Sequence, residues 1–495
     1  MIYVKKINEV WMFVTADPSI EMELREEFTF EVPGFKYMPA YKQGIWDGMI
    51  RSYDINTKRM HCGLLANLRQ FAEENKYGLD IDPDLEDTEF SVEYIEAWLD
   101  KQQIYLNGEL LELRDYQHIA ILNALHQKRM TLVSPTSSGK TAILYCISKF
   151  LMEHDKKVLI QVPSIMLVEQ MESDFLEYSK GECDWLQKVA GAYTKEVLKP
   201  VVVSTWQSQH SKTKGKADRS IQAYFNQFDA IVQDEVHQAT ATVIKGILEN
   251  CTDVPYRFGC TGTLTKAKSH ANTILGLFGQ DKRVITTKEL MERGQIANLS
   301  IKMIELKYSA ADRKALPAKR DYHTEIDFIV NHPGRLKFVA NLAKSLPGVT
   351  LILVNFIDKH LKPLQNLLET GDKEVYVIHG QVAGEEREVI RRMVKTQDEG
   401  ILLCSYATMS TGVSIPNINN VIFASPTKSM VRVLQSVGRG LRLSDNKSSC
   451  ALYDIMDNLQ QKGKKPNISL QHGAERIVIY ATEGFKYKVI PVELK

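Results

Sequence analysis

Two series of short β-branched runs, each run separated from the next by a longer segment of helical period, constrain this chain more than any other feature. The first series is Thr131–Val133, Val158–Val162, Val201–Thr205 and Ala230–Val232. After about residue 331 the alternation starts again, with Thr350–Phe356, Val375–Ile378, Ile401–Cys404, Val421–Ala424 and Ala451–Asp454. A strand that is apolar at every position needs cover on both faces, and a helix between strands returns the chain for parallel pairing. The pattern predicts two parallel sheets, each wrapped by helices. The stretch 307–327 is charged and poorly patterned, and reads as a linker. Residues 1 to about 105 have a mixed pattern that closes in the acidic stretch Asp80–Asp100, where a helix is expected to start near Ser91. The expected fold class is α/β: two tandem parallel-sheet domains, 106–310 and 328–495, preceded by a small α+β domain, 1–105. A chain of 495 residues is long enough for this, at roughly 100–200 residues per domain.

The clearest chemical signal is Ser134-Pro-Thr-Ser-Ser-Gly-Lys-Thr141, between the strand-like Met130–Val133 and an apolar helical segment from Ala142. In a P-loop the backbone N–H groups wrap a β-phosphate and the positive end of the helix faces it. Ser134, Pro135, Thr136, Ser137, Ser138 and Gly139 would form the wrap. Lys140 can reach the β- and γ-oxygens, and the Thr141 hydroxyl can ligate Mg²⁺. Ser134 stands where the usual pattern has glycine; a small residue serves there if the backbone needs no positive φ.

Asp234-Glu-Val-His237 follows the apolar strand Ala230–Gln233. Downstream of a P-loop, Asp234 is placed to hold Mg²⁺ and Glu235 to polarise the attacking water. His237 is either a relay or a plain helix-start histidine. Upstream, Gln117 in Leu113-Arg-Asp-Tyr-Gln117 can pair with N6 and N7 of adenine, or simply belong to a helix start capped by Asp115. In the second series, Gln435-Ser-Val-Gly-Arg-Gly-Leu-Arg442 carries Arg439 and Arg442 three apart, hence on one helix face. Two guanidiniums aimed at one anion suit the charge of a transferring γ-phosphoryl group. The loop Ser410-Thr-Gly-Val-Ser-Ile-Pro416 can put Thr411 on nucleic-acid phosphate and Gly412 beside the nucleotide.

These segments stand in the order of superfamily 2 helicase motifs, which they resemble. Gln117, SPTSSGKT, DEVH, Thr261-Gly-Thr263, STGVSIP and QSVGRGLR are similar to motifs Q, I, II, III, V and VI. Val162–Gln170, Ser204–Gln207 and Leu353–Phe356 are similar to the strips between them. More closely, the whole chain resembles the UvsW-type branched-DNA helicases of T-even phages, through Pro33–Pro39, Gly44–Gly48, Ala407–Gly412 and His472–Arg476. The resemblance implies two RecA-like domains clamping ATP with Mg²⁺, and phosphates of a strand gripped through Pro163, Thr205, Asn355 and Thr411. It implies remodelling of forks, Holliday junctions and R-loops in recombination, repair and replication.

Net charge bears on the partner. Lys and Arg number 62 against 61 Asp and Glu, a net +1, so any phosphate-binding surface has to be local. One candidate is Phe35–Asp54, where Lys36, Lys42 and Arg51 are interleaved with Tyr37, Tyr41 and Trp46. It reads either as a duplex-DNA contact or as the core and turns of the small domain, with Lys36 and Lys42 favouring DNA. The alternatives for the whole chain are a duplex translocase that never separates strands, an RNA helicase, and a nucleic-acid binder with a dead ATPase. The charged catalytic positions argue against the last. No run of about 18 apolar residues predicts a membrane span. The N-terminus turns acidic too soon for a secretory signal, and seven scattered cysteines without a CxxC pair suggest neither zinc nor disulfides. A monomer in a reducing cytoplasm is the expectation, that of an infected bacterium if phage-encoded.

Overall fold

A computed structural model describes the chain except residues 192–195, 214–217, 239–241, 263–266, 317–320, 411–416, 427–448, 462, 464 and 495. It separates into two compact units, residues 1–134 with 139–285, and residues 135–138 with 286–495.

The first unit opens with a five-stranded sheet in the order Tyr53–Asp54, Arg59–His61, Trp11–Thr15, Ile2–Lys6, Leu79–Ile81. Neighbours are antiparallel except the last pair, which is parallel. Alternation decides which side is core. Ile2, Val4, Met12, Val14 and Met60 point inward and form one cluster with Ile20 and Leu24 of the helix Pro18–Glu27 and Leu68 and Phe71 of the helix Leu65–Glu74. Tyr3, Lys5, Phe13 and Arg59 alternate with them and remain exposed.

This small domain docks tightly on the α/β part of the same unit. His61 Nε2 lies 3.1 Å from Glu249 Oε1, Glu9 N–H donates to the Thr252 carbonyl at 2.8 Å, and Arg129 pairs with Glu9. At Gly63 the two parts come closest: a Cβ there would run into the backbone oxygens of Leu275 and Gly276 and the nitrogen of Gly279. Backbone cannot give way as a flexible side chain does. Gly63→Ala is expected to cost about 1–3 kcal/mol and to loosen this docking, read as faster protease cleavage in the exposed 82–90 connection; unchanged cleavage would count against the close fit.

The α/β part is a seven-stranded, wholly parallel sheet in the order Leu186–Val189, Val201–Thr205, Val158–Val162, Ala230–Asp234, Tyr256–Thr261, Arg129–Val133, Asp281–Arg283. The central strands are buried at nearly every position, which is why they read as continuous apolar runs. Ser91 begins the helix Val92–Leu99 as expected, its hydroxyl accepting from Tyr94 N–H at 3.2 Å. Arg257 is fully buried in the sheet. Its guanidinium donates to the carbonyls of Leu248, Cys251 and Leu277, at the C-terminal ends of two helices, where cations are favoured.

The second unit is another seven-stranded parallel sheet, ordered Val375–Ile378, Gly400–Ser405, Val349–Val354, Ile418–Phe423, Ser449–Asn458, Asn298–Lys307, Tyr487–Glu493. Asn298–Lys307 fell within the first α/β domain in the sequence reading; it pairs instead with Ser449–Asn458 and Tyr487–Glu493 in this second sheet. The stretch read as a linker holds the helix Ala310–Ala315 and the start of Tyr322–Asn331. Its polar side chains cap helices: Ser309 and Asp321 accept from Asp312 and Thr324 N–H.

Two buried ion pairs fix the interior strand Ser449–Asn458 of this sheet to its helices. Arg335, in the helix Pro333–Ser345, donates to both Asp457 oxygens at 2.7 and 3.1 Å and to the Ala424 carbonyl at 2.6 Å. Tyr308 adds a hydroxyl to Asp457 at 2.8 Å. Arg476, in the helix Ile468–Thr482, grips Asp454 at 2.8 Å through two nitrogens, with the Tyr480 hydroxyl also on Asp454.

Candidate active site

The strand Arg129–Val133 leads into the 134–141 loop, the candidate phosphate site. Ser134 N–H continues the ladder by donating to the Thr261 carbonyl at 2.8 Å, and Ser134 is fully buried, so the position needs a small side chain rather than a positive φ. The loop then turns through two left-handed residues, Ser137 at φ 69° and Gly139 at φ 80°. Ser138 Oγ donates to the Pro135 carbonyl at 2.7 Å, closing the turn. Gly139 is the N-cap of the helix Lys140–Glu153, so Lys140 and Thr141 occupy its first turn, where free N–H groups and the positive dipole end lie. Glycine is favoured at 139 by its φ of 80°, and a Cβ there would also displace the Gln117 Nε2 amide.

Gln117 is itself buried. Its Oε1 accepts from Arg114 N–H at 2.9 Å, at the start of the helix Asp115–Gln127. Arg114, not Asp115, is the N-cap, and the amide sits between this helix start and the phosphate loop.

Asp234 ends the strand Ala230–Asp234, its carbonyl accepting from Gln233 Nε2 at 2.9 Å. Glu235 follows at φ 52°, a left-handed conformation uncommon outside glycine. Its N–H donates to Asp234 Oδ1 at 2.9 Å. This turn swings the Glu235 carboxylate to within 3.3 Å of His237 Nδ1, which lies equally far from Thr261 Oγ1. His237 thus joins the acidic turn to the end of the neighbouring strand.

Burial pushes the Asp234 carboxyl above its ordinary range; the Lys140 ammonium pulls it down and the Glu235 charge pushes it further up. Two carboxylates crowded at a strand end, one held above its normal pKa, form a hard oxygen donor pair that one lysine only partly compensates. A divalent cation fits such a donor set.

The remaining expected contacts are dispersed. In the first unit, Pro163 follows the strand Val158–Val162, its carbonyl 3.5 Å from Gln207 Nε2. Thr205 is buried and uses its hydroxyl on Ser208, capping the helix Trp206–Thr213. Lys36 and Lys42 lie exposed on the short helices Phe35–Tyr37 and Pro39–Lys42. The aromatic residues there divide by role. Phe35 is buried edge-on to Tyr41 with ring centroids 4.6 Å apart, and Trp46 donates to the Met49 carbonyl at 2.8 Å. Tyr37, in contrast, is 81% exposed and Ile45 76%.

In the second unit, Asn355 N–H donates to Ser425 Oγ at 3.0 Å, and Asn355 Nδ2 approaches the Pro426 carbonyl at 3.4 Å. His360 Nδ1 meets the same Ser425 hydroxyl at 2.9 Å, and burial beside Arg335 lowers its pKa to about 3, so it is neutral. No sequence signal pointed to Ser425, His360 or Arg335: they gather at one strand end from positions far apart in the chain. Thr411, Gly412, Arg439 and Arg442 lie outside the described residues, as does Thr263.

Among the described residues no group of three or more His, Cys, Asp or Glu side chains is placed to hold a metal, and no helix is long and apolar enough to cross a membrane.

Known families match in three successive blocks. Residues 4–82 match the N-terminal domain of DNA helicase UvsW, 110–266 the res subunit of type III restriction enzymes, and 334–444 the helicase conserved C-terminal domain. The ATP-dependent DNA helicase uvsW of Enterobacteria phage T4 is 31% identical, with 97% of each chain covered. The crystal structure of T4 UvsW superposes over the full length of both chains, with a TM-score of 0.52 at 29% identity. A DNA-bound type ISP restriction-modification enzyme, LlaBIII, shares the fold at 17% identity and a TM-score of 0.57, over 87% of this chain and 34% of its own. With the phosphate loop and acidic turn in place, and a relative this similar from end to end, the chain belongs to the UvsW-like superfamily 2 helicases, which are ATP-dependent enzymes.

Proposed function

We propose that this helicase acts on DNA and remodels its branched forms, forks, Holliday junctions and R-loops, in recombination, repair and replication. The observation that carries this reading is the extent of the likeness to the T4 DNA helicase, which includes the N-terminal domain as well as the motor. The Tyr37 and Ile45 side chains, exposed beside Lys36 and Lys42, suit contact with DNA next to a branch point.

In this reading the N–H groups of 136–141 bind the β-phosphate and Lys140 bridges to the γ-phosphate. Glu235 holds and polarises the attacking water, with His237 fixing its carboxylate. Thr141 and Asp234 would hold Mg²⁺, which supplies charge neutralisation on the phosphate oxygens. Arg439 and Arg442 complete the charge around the transferring group. Gln117 braces Gly139 while remaining near the nucleotide, and Gly412 contributes backbone there. Pro163, Thr205, Asn355 and Thr411 contribute to a grip on strand phosphates that is independent of sequence and weakens with salt. The protein works as a monomer in the cell interior, with RNA encountered as the invading strand of an R-loop.

ATP hydrolysis measured in parallel with no nucleic acid, single-stranded DNA, duplex DNA, forked DNA and RNA tests this. Forked DNA is expected to stimulate most and to lose its annealed strand. Best stimulation by plain duplex without strand loss would mean a translocase, and best stimulation by RNA an RNA helicase.

A further inference from the structure

The open face of the N-terminal sheet takes no part in the reading above. Strand alternation puts Tyr3 and Lys5 of Ile2–Lys6, Trp11 and Phe13 of Trp11–Thr15, and Arg59 of Arg59–His61 on this one face. The register sets Lys5, Phe13 and Arg59 side by side in one row across three strands. Tyr3 is diagonal to Phe13, because it pairs with Thr15. Trp11 precedes Phe13 by two residues and stacks on His61 with ring centroids 3.9 Å apart, at the edge docked to the α/β part of the unit. The three rings form a track leading away from that docking edge, at steps of about 7 Å set by strand rise and diagonal spacing.

Both outer rings face water, Tyr3 53% and Phe13 39% exposed. The helices Pro18–Glu27 and Leu65–Glu74 pack on the opposite side. Lone exposed rings are ordinary, but two adjacent rings in a row with two cations on an otherwise polar sheet face form a specific surface. The acidic residues of this face lie at its margins, Asp80 beside Tyr3 and Asp54 beside Arg59. Lys5 and Arg59 flank the middle. Positive charge along the centre and negative charge at the edges would confine a polyanion to the ring track. Aromatic faces accept any base, and a sheet that presents them between cations suits unpaired nucleic acid rather than a duplex, whose bases are not free to stack.

We propose that this sheet face binds an unpaired DNA strand, with bases stacking on Tyr3 and Phe13 and phosphates paired with Lys5 and Arg59. The site rests on the reading of the chain as a DNA helicase and adds to it a place for one strand of an opened branch.

The test uses the full-length chain and fluorescence anisotropy with a labelled oligothymidine and with a duplex. Tyr3→Ala combined with Phe13→Ala is expected to weaken single-strand binding at least tenfold, from about 1–3 kcal/mol per stacked base, and duplex binding by less than twofold. Tyr3→Phe with Phe13→Tyr should retain single-strand affinity, since the rings remain. Lys5→Glu, at an exposed position, should weaken binding and flatten its salt dependence. ATP hydrolysis without DNA should stay at the wild-type rate in all variants. Unchanged single-strand affinity in the alanine pair, or an equal loss on duplex, overturns the site while leaving the helicase reading intact. A wild-type chain that neither binds DNA nor is stimulated by it removes the reading itself. A sheet face that serves a protein partner instead would give normal oligothymidine binding in the alanine pair, which also overturns the proposal.

Discussion

Lys140→Ala is expected to lower ATP turnover by at least about a hundred- to a thousand-fold, the loss typical of removing one preorganised charge from a developing anion. The substitution isolates the ammonium group. Alanine is a strong helix former, so the first turn of Lys140–Glu153 and the N–H groups of the loop persist. The loss is doubled in kind, because Lys140 also compensates Asp234, and without it the Asp234 carboxyl rises further from its ordinary range. Glu235→Gln should lower turnover comparably by a different route, leaving the charge of Lys140 in place while removing the base. Nucleotide binding followed with a fluorescent ATP analogue should separate the two, weak for Lys140→Ala and near normal for Glu235→Gln. DNA binding should be largely intact in both. A Lys140→Ala chain that hydrolyses ATP at the wild-type rate would falsify the assignment of the site.

Arg335→Met should destabilise the second unit by about 3–5 kcal/mol. The guanidinium is fully buried, and its removal strands the Asp457 carboxylate in an apolar core with only the Tyr308 hydroxyl as a donor from the pair's own network. Methionine fills much of the volume, so the cost is electrostatic rather than a cavity. Adding Asp457→Asn should recover most of the loss, since the uncompensated charge disappears. Denaturant unfolding of the two variants measures both steps. Equal stability of Arg335→Met and wild type would show that Asp457 finds another donor or a proton. The same substitution should also disturb His360 and Ser425, and with them the backbone of Asn355, because Arg335 holds the Ala424 carbonyl next to Ser425.

The strands Val158–Val162, Val201–Thr205 and Val375–Ile378 were legible to the residue because burial on both faces leaves an unbroken apolar run. Strands that break this rule were not. Tyr256–Thr261 contains Arg257, whose charge is absorbed by three helix-end carbonyls contributed by residues that no local pattern reveals. Leu186–Val189 carries Gln187 and Lys188, whose side chains bond a loop carbonyl and two glutamates. Asp281–Arg283 is an exposed edge, and Tyr487–Glu493 is an edge with Pro491 inside it, both polar enough to pass for loops. Asn298–Lys307 was not read as a strand and fell inside the 106–310 boundary, because the partner that identifies it lies about 150 residues on.

The 134–141 loop and the 234–237 turn could be picked out of the sequence because each is a run of consecutive residues, eight and four. The left-handed Glu235, the clasp of Gln117 on Gly139 and the His237 bond to Thr261 were not, since they depend on strands that meet only in the folded sheet. The same holds for the Ser425 junction.

The close seat of Gly63 on 275–279 has a mechanical consequence. A joint with backbone against backbone, reinforced by His61 and Glu9, leaves no play, so the N-terminal sheet is a rigid lever on the first ATPase sheet. Under the proposed function, a rotation of the ATPase sheet would carry Tyr3 and Phe13 of the N-terminal sheet with it, and the distance from pivot to tip, not the softness of a tether, would set the amplitude of the stroke.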